Sequence, residues 1–350
     1  DLFGDVPYSE AFQGISLPSP KADSGSAVYD AALALLDAAI ADLGSPKGNI
    51  SNDVYYGGDV SLWLTAANSL KLRYHVNTRL VGGSASAIND LVNAGVIDEV
   101  AEDFQFNYGV NRVNPDSRHP YYSDGYESGG PGWYLSNYYM WLFFADKNNE
   151  DPRLRYYFLR QDCDETNEDF FTLDCQDGPY PSHWPDGYPY CTATNPLFSN
   201  AGAYAGTGYW GRDHGNDDGI PPDDLKRTAW GLYPAGGKFD ADECGGVSNG
   251  GVDGARGAGI QPILLSSYVY FLRSEAALTM GTADDARAML EAGVRSSISK
   301  VMNFKGLSAA EEALAPTSDD VEAYVTEVMG SYDGATSDEG ILLLAGSDDP

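Results

Sequence analysis

GRDHGNDDGIPPDDLKRTAWGLY, the stretch from Gly211 to Tyr233, continues as PAGG to Gly237 and decides how this chain is read. No regular helix or strand accommodates so many Gly, Pro, Asp and Trp residues together. Glycine and proline interrupt both elements, and aspartate hydrogen-bonds its own backbone in turns. The stretch therefore reads as a loop with a defined path. On its N-terminal side, Gln161 to Gly211 holds no Lys or Arg, eight Asp or Glu and ten aromatics, among them Trp184, Tyr188, Tyr190, Tyr204, Tyr209 and Trp210. A disordered acidic linker is poor in aromatics, so this is an ordered, loop-rich insertion, and ordered loops carry binding residues.

Helical periodicity flanks the insertion on both sides. Ser26 to Gly44 carries Val28, Ala32, Leu35, Leu36, Ala39, Ile40 and Leu43 on one stripe, closed by Gly44 with Pro46 beyond. Asp59 is placed to cap a second helix that puts Trp63, Ala66, Ala67, Leu70 and Tyr74 on one face before Gly82 and Gly83. A third is expected over Ser84 to Asn93, and another at Tyr134 to Ala145. After the insertion come Pro262 to Met280, Asp284 to Asn303 and a helix started by Thr317 or Ser318. Small residues at Ala276, Ala277, Ala286 and Gly293 let paired helices approach closely. The expected fold is mainly α: tetratricopeptide-like helix pairs form a scaffold, at about 1–105 and 257–335, around an insertion at about 106–256.

A formal charge of -31, from 52 acidic against 21 basic residues, argues against a nucleic-acid or anionic-membrane partner, since phosphate binding needs clustered Lys and Arg. No run of some twenty apolar residues is present to span a bilayer. Cys163, Cys175, Cys191 and Cys244 lie in loop-like sequence without CxxC spacing, so two disulfides are expected rather than a zinc cluster. Three pairings are open. Loop closure favours Cys163 with Cys175 and Cys191 with Cys244.

Four stretches also agree, in order, with one family. Besides Gly211 to Gly237 they are DLFGDVPYSEAFQG at Asp1 to Gly14, YGGDVSLWLTAANSLKLRYHVNTRL at Tyr56 to Leu80, and GAGIQPILLSSYVYFLRSEAAL at Gly257 to Leu278. Together they resemble the SusD/RagB-like outer-membrane lipoproteins over roughly residues 1 to 335. The resemblance implies a single SusD-like domain, of which this chain is part. It implies a cell-surface nutrient-binding lipoprotein on the extracellular face of the outer membrane, lipid-anchored through an N-terminal Cys that this chain does not include. The implied partner is a SusC-like TonB-dependent transporter, contacted through the Ser26 to Leu80 block. The implied ligand is an oligosaccharide or a peptide, and no cofactor is expected.

The residue-level chemistry points the same way. Gly206 to Gly211, GTGYWG, matches a dinucleotide fingerprint but lacks the preceding strand and following helix that such a site needs. Ser297 to Lys300 matches SxxK without partner motifs, and His75, His119, His183 and His214 are scattered. No catalytic group is expected, although loop carboxylates could serve a polysaccharide-active enzyme, and a ligand-free surface scaffold is a further alternative. Asp213, Asp217 and Asp218 are candidate calcium ligands in an oxygen-rich loop. Aromatic faces suit sugar C–H groups while Arg and Asp reach hydroxyls. Trp133, Tyr134, Trp184, Tyr209, Trp210 and Arg212 are accordingly the candidate ligand-binding residues, with glycan favoured over peptide. Trp63, Trp141 and Trp230 read as structural.

Overall fold

A computed structural model describes residues 4–45, 48, 51–127, 134–144, 146–161, 209, 211, 228–243, 245–247 and 250–334. The described chain is mostly helical, with tetratricopeptide-like helix pairs and a few short strands. It forms two compact units: residues 1–104 with 263–293, and residues 105–262 with 294–350.

The first unit is built on helix pairing. Ser24 caps α1 (Gly25–Leu43) by accepting from the Ala27 N–H, and Asp59 caps α2 (Val60–Asn77) by accepting from Ser61 and Leu62. Tyr29 packs on Tyr74 at 5.6 Å between ring centroids, and Lys71 bridges to Asp37 at 2.5 Å. Those contacts run in opposite chain directions, as in an antiparallel pair. The other side of α2 buries Ala66, Leu72 and Val76 against Ile88 and Leu91 of α3 (Ala85–Ala94) and Val269 and Ala276 of α7 (Ser266–Met280). Two polar residues inside this core are matched: Ser69 Oγ accepts from Ile97 N–H, and Asn68 donates to the Gly95 carbonyl.

Helix α7 starts at Ser266 rather than at Pro262. Proline has no N–H and pushes the residue before it into extended backbone, so Ile260–Leu264 becomes strand β4, paired with β1 (Phe104–Asn107). Leu265 offers no side chain to cap α7. Buried Asp103 accepts from Ser266 N–H at 2.6 Å instead. Helix α8 (Ala286–Met302) packs Gly293 directly on the Phe271 ring within this unit, so the absent side chain sets the approach.

The second unit is held by an aromatic core of Phe143, Tyr156, Tyr157, Phe158, Tyr233 and Phe239 with Val301. Its elements are the short α4 (Pro120–Gly125), α5 (Asn137–Phe144), α6 (Leu154–Tyr157), β2 (Phe158–Leu159), β3 (Ala229–Trp230) and α9 (Ala309–Glu312), and the long α10 (Ser318–Gly334). Strands β2 and β3 are antiparallel, with Phe158 opposite Trp230. Arg153, 1% exposed, bonds both carboxylate oxygens of buried Asp151 and the Ser297 hydroxyl. Glu327 of α10 accepts from the backbone and side-chain amides of Asn148 and Asn149, so α10 packs with the loop-rich part.

Two of the quoted glycine-rich stretches meet here. Ile260 N–H donates to Pro234, Gly257 N–H to Gly236, and Ala255 N–H to Gly237. The backbones lie so close that a Cβ on Gly254, whose φ is +58°, would overlap the Gly237 carbonyl. Only glycine suits both demands.

Candidate binding surface and its relatives

Of the six aromatic and basic candidates read from the sequence, Tyr134 and Tyr209 fall within the described residues. Trp133, Trp184, Trp210 and Arg212 lie outside them, as do Asp213, Asp217 and Asp218 and all four cysteines. The Trp141 side chain is also outside. Tyr134 is half-buried in the lead into α5. Tyr209 is 5% exposed, in the aromatic core beside Phe144 and Phe158, with the Arg160 guanidinium 4.9 Å from its ring centroid. Burial holds its hydroxyl well above the usual tyrosine pKa. Arg160 is itself fixed by Asp240 and Asp242. Gly211 belongs to the same packing, since a Cβ there would overlap the Leu135 carbonyl. This glycine of the GTGYWG stretch thus serves close backbone approach.

An open aromatic surface lies elsewhere in the second unit. Phe106 at the end of β1, Tyr108, His119, Tyr121 and Trp230 form an unbroken series of rings, with successive centroids 5.0, 4.8, 5.0 and 4.9 Å apart. The last pair, Tyr121 and Trp230, is stacked with only 3° between the planes. Tyr121 is 44% exposed, and Phe106, Tyr108 and Trp230 are half-buried.

Local chemistry holds each ring. His119, 2% exposed, is the N-cap of α4, its Nδ1 accepting from the Tyr121 N–H, and Pro120 follows at a position where no N–H is needed. Burial lowers the His119 pKa from 6.5 to about 4, against a hydrogen bond to the Ile260 backbone that raises it. The ring is neutral at ordinary pH. Upstream, the Arg118 guanidinium, 3% exposed, joins Asp116 to Glu127, which also takes Arg112. Trp230 sits on β3, and its carbonyl accepts the buried Tyr126 hydroxyl at 2.7 Å. Trp230 packs on the core, as the sequence suggests, and also presents a stack with Tyr121.

Sequence reading missed this surface because its rings come from three segments far apart in the chain, and nothing in any one of them says which rings meet. Chemically, the surface offers flat apolar faces, with the Tyr121 hydroxyl and the Trp230 indole N–H as polar tips, suited to a sugar ring or a peptide side chain.

A family model described as SusD-like, starch-binding and associating with the outer membrane, matches residues 1–174. Solved SusD homologues share the fold over nearly the whole chain. A SusD homologue from Bacteroides fragilis superposes with a TM-score of 0.64 at 17% identity, covering 99% of this chain and 63% of its own. For one from Bacteroides ovatus the values are 0.57, 20%, 93% and 51%. This chain is SusD-like. A chitin-binding SusD homologue from Flavobacterium johnsoniae gives a TM-score of 0.54 at 18% identity, over 90% of this chain and 52% of that one. The SusD-like chain therefore spans less than two thirds of the length of these relatives, and at such identities the likeness shows the fold. No curated protein matches it in sequence. Among the described residues, no helix is long and apolar enough to cross a membrane.

Proposed function

We propose that this SusD-like chain is a cell-surface nutrient-binding protein that captures glycan and delivers it to a SusC-like TonB-dependent transporter in the outer membrane, without catalysing a reaction itself. The observation that carries the reading is the exposed Tyr121 stacked on Trp230 at the end of a ring series. Exposed aromatic faces held on ordered elements, here α4 and β3, bind sugar faces without chemistry. The SusD-like likeness supports placing this role in an outer-membrane system, and anchoring through a lipidated N-terminal Cys is part of the proposal. Trp133, Tyr134, Trp184, Trp210 and Arg212 are proposed to contribute further ligand contacts, with calcium at Asp213, Asp217 and Asp218 as structural support. For Tyr209 the proposal is indirect support through Arg160.

The test is affinity electrophoresis of wild type, Tyr121→Ala and Trp230→Ala on gels containing starch, chitin derivatives or other soluble glycans. Loss of one stacking ring is expected to weaken retention by about tenfold, equivalent to roughly 1.4 kcal/mol. Equal retention of both variants, with folding intact, would refute the surface as the glycan site. Retention on none of the glycans, with binding of peptides that depends on the same rings, would favour the peptide reading.

A further inference from the structure

A pocket of about 450 Å³ opens in the second unit, with Glu150, Pro152, Arg155, Leu314, Pro316 and Asp320 among its lining residues. It shares no residue with the Tyr121–Trp230 surface, and its argument is independent of the glycan reading. Pockets of this volume suit a small molecule.

Its two functional side chains keep hydrogen-bonding positions open. Arg155 donates through Nη1 to the Asp240 carbonyl and to Asp242 Oδ1, while its Nε and Nη2 make no hydrogen bond to a described residue. Glu150 is exposed at the rim and forms no hydrogen bond or ion pair with a described residue. Partial burial of its carboxyl raises the pKa, and Arg155 is near enough to pull it back without pairing with it. Most of the other polar groups are already engaged: Asp320 accepts from Thr317 N–H and Oγ1, and Asn149 bonds Glu327.

The charge balance then selects the ligand. Asp240 and Asp242 together balance Arg155 and Arg160, so Glu150 and Asp320 leave the lining net negative. An anion would be repelled, and a cationic group gains Glu150 as a partner that a neutral molecule cannot use in the same way. A ligand with an ammonium group beside an oxygen acceptor meets both open groups at once. We propose that this pocket binds a small molecule carrying a primary ammonium next to a hydroxyl or carboxylate, the ammonium on Glu150 and the oxygen on Arg155, with its carbon skeleton against Pro152, Leu314 and Pro316. Two sources share that chemistry: 2-amino sugars and α-amino acids.

Isothermal titration of the full chain near pH 6.5, where such amines are protonated and carboxylates ionised, separates them. The probes are D-glucosamine, N-acetyl-D-glucosamine, D-glucose and L-alanine, with Glu150→Gln and Arg155→Lys as variants and Tyr121→Ala as a control. Saturable binding of glucosamine or alanine is expected, with Glu150→Gln weakening it at least about tenfold and Tyr121→Ala leaving it unchanged. Glucosamine alone identifies an amino-sugar site, and alanine alone an amino-acid site. The acetylated sugar and glucose should bind at least about tenfold more weakly than glucosamine where glucosamine binds. No saturable binding of either amine up to about 10 mM, equal binding of glucose, or an unchanged Glu150→Gln variant would overturn the proposal. Because Glu150 is exposed, that variant folds.

Discussion

Acidification is expected to destabilise the second unit through one buried histidine. His119 is neutral and 2% exposed, with a pKa of about 4 in the fold against 6.5 for an unperturbed side chain. The unfolded chain therefore binds one proton more than the folded chain between those values. Stability contributed by neutral His119 is fully present above pH 6.5 and is lost as pH falls toward 4. Going from about pH 7.5 to about pH 4.5, the full shift corresponds to a loss of about 2.5 kcal/mol, and screening near the exposed Tyr121 edge brings the expectation to about 2 kcal/mol. Protonation at Nδ1 also removes the acceptor that caps α4. Other carboxylates titrate in the same range, so the measurement is a difference. Urea unfolding of wild type and His119→Asn should be followed at both pH values by near-ultraviolet circular dichroism. Asparagine caps a helix well and does not titrate here. The variant should lose about 2 kcal/mol less than wild type on acidification. Equal losses in the two proteins would refute the account of His119.

Three further outcomes are expected. Asp151→Ala removes the carboxylate from a buried guanidinium and should cost about 3 to 5 kcal/mol in chemical denaturation; a loss below about 1 kcal/mol would show that Arg153 is satisfied by its remaining partners. Gly254→Ala combines a left-handed backbone with overlap on the Gly237 carbonyl and should cost about 2 to 4 kcal/mol, measured by thermal unfolding; a neutral variant would contradict that close approach. The two disulfides expected from the sequence predict that thiol counting on denatured, unreduced protein finds no free thiol among Cys163, Cys175, Cys191 and Cys244, and four titratable thiols would exclude both bridges.

Helix existence was legible wherever periodicity and a cap coincided. Ser24, Asp59 and Ser84 each precede an apolar repeat, and each accepts hydrogen bonds from the first turn that follows. Local chemistry is enough there, because a cap and a stripe lie within a few residues of one another. It was insufficient at Pro262, where a helical-looking run opens as a strand, and at Ser266, whose cap comes from Asp103 far away in sequence. The glycine-rich stretches at 231–237 and 251–259 announced an irregular backbone. Their mutual hydrogen bonding, which is why those glycines are needed, required the folded chain.

The candidate surface divides in the same way. Composition and motif order pointed from the sequence to a SusD-like, mainly helical protein with aromatic loops, because those properties survive any rearrangement in space. Which aromatics face solvent is decided by tertiary contact. Tyr209 lies in the aromatic, cation-free insertion, yet Phe144, Phe158 and Arg160 enclose it. Tyr121 has no special sequence context, but α4 holds it against Trp230 and leaves it open. A side chain's chemistry is written in its own residue, whereas its exposure depends on segments brought to it by folding.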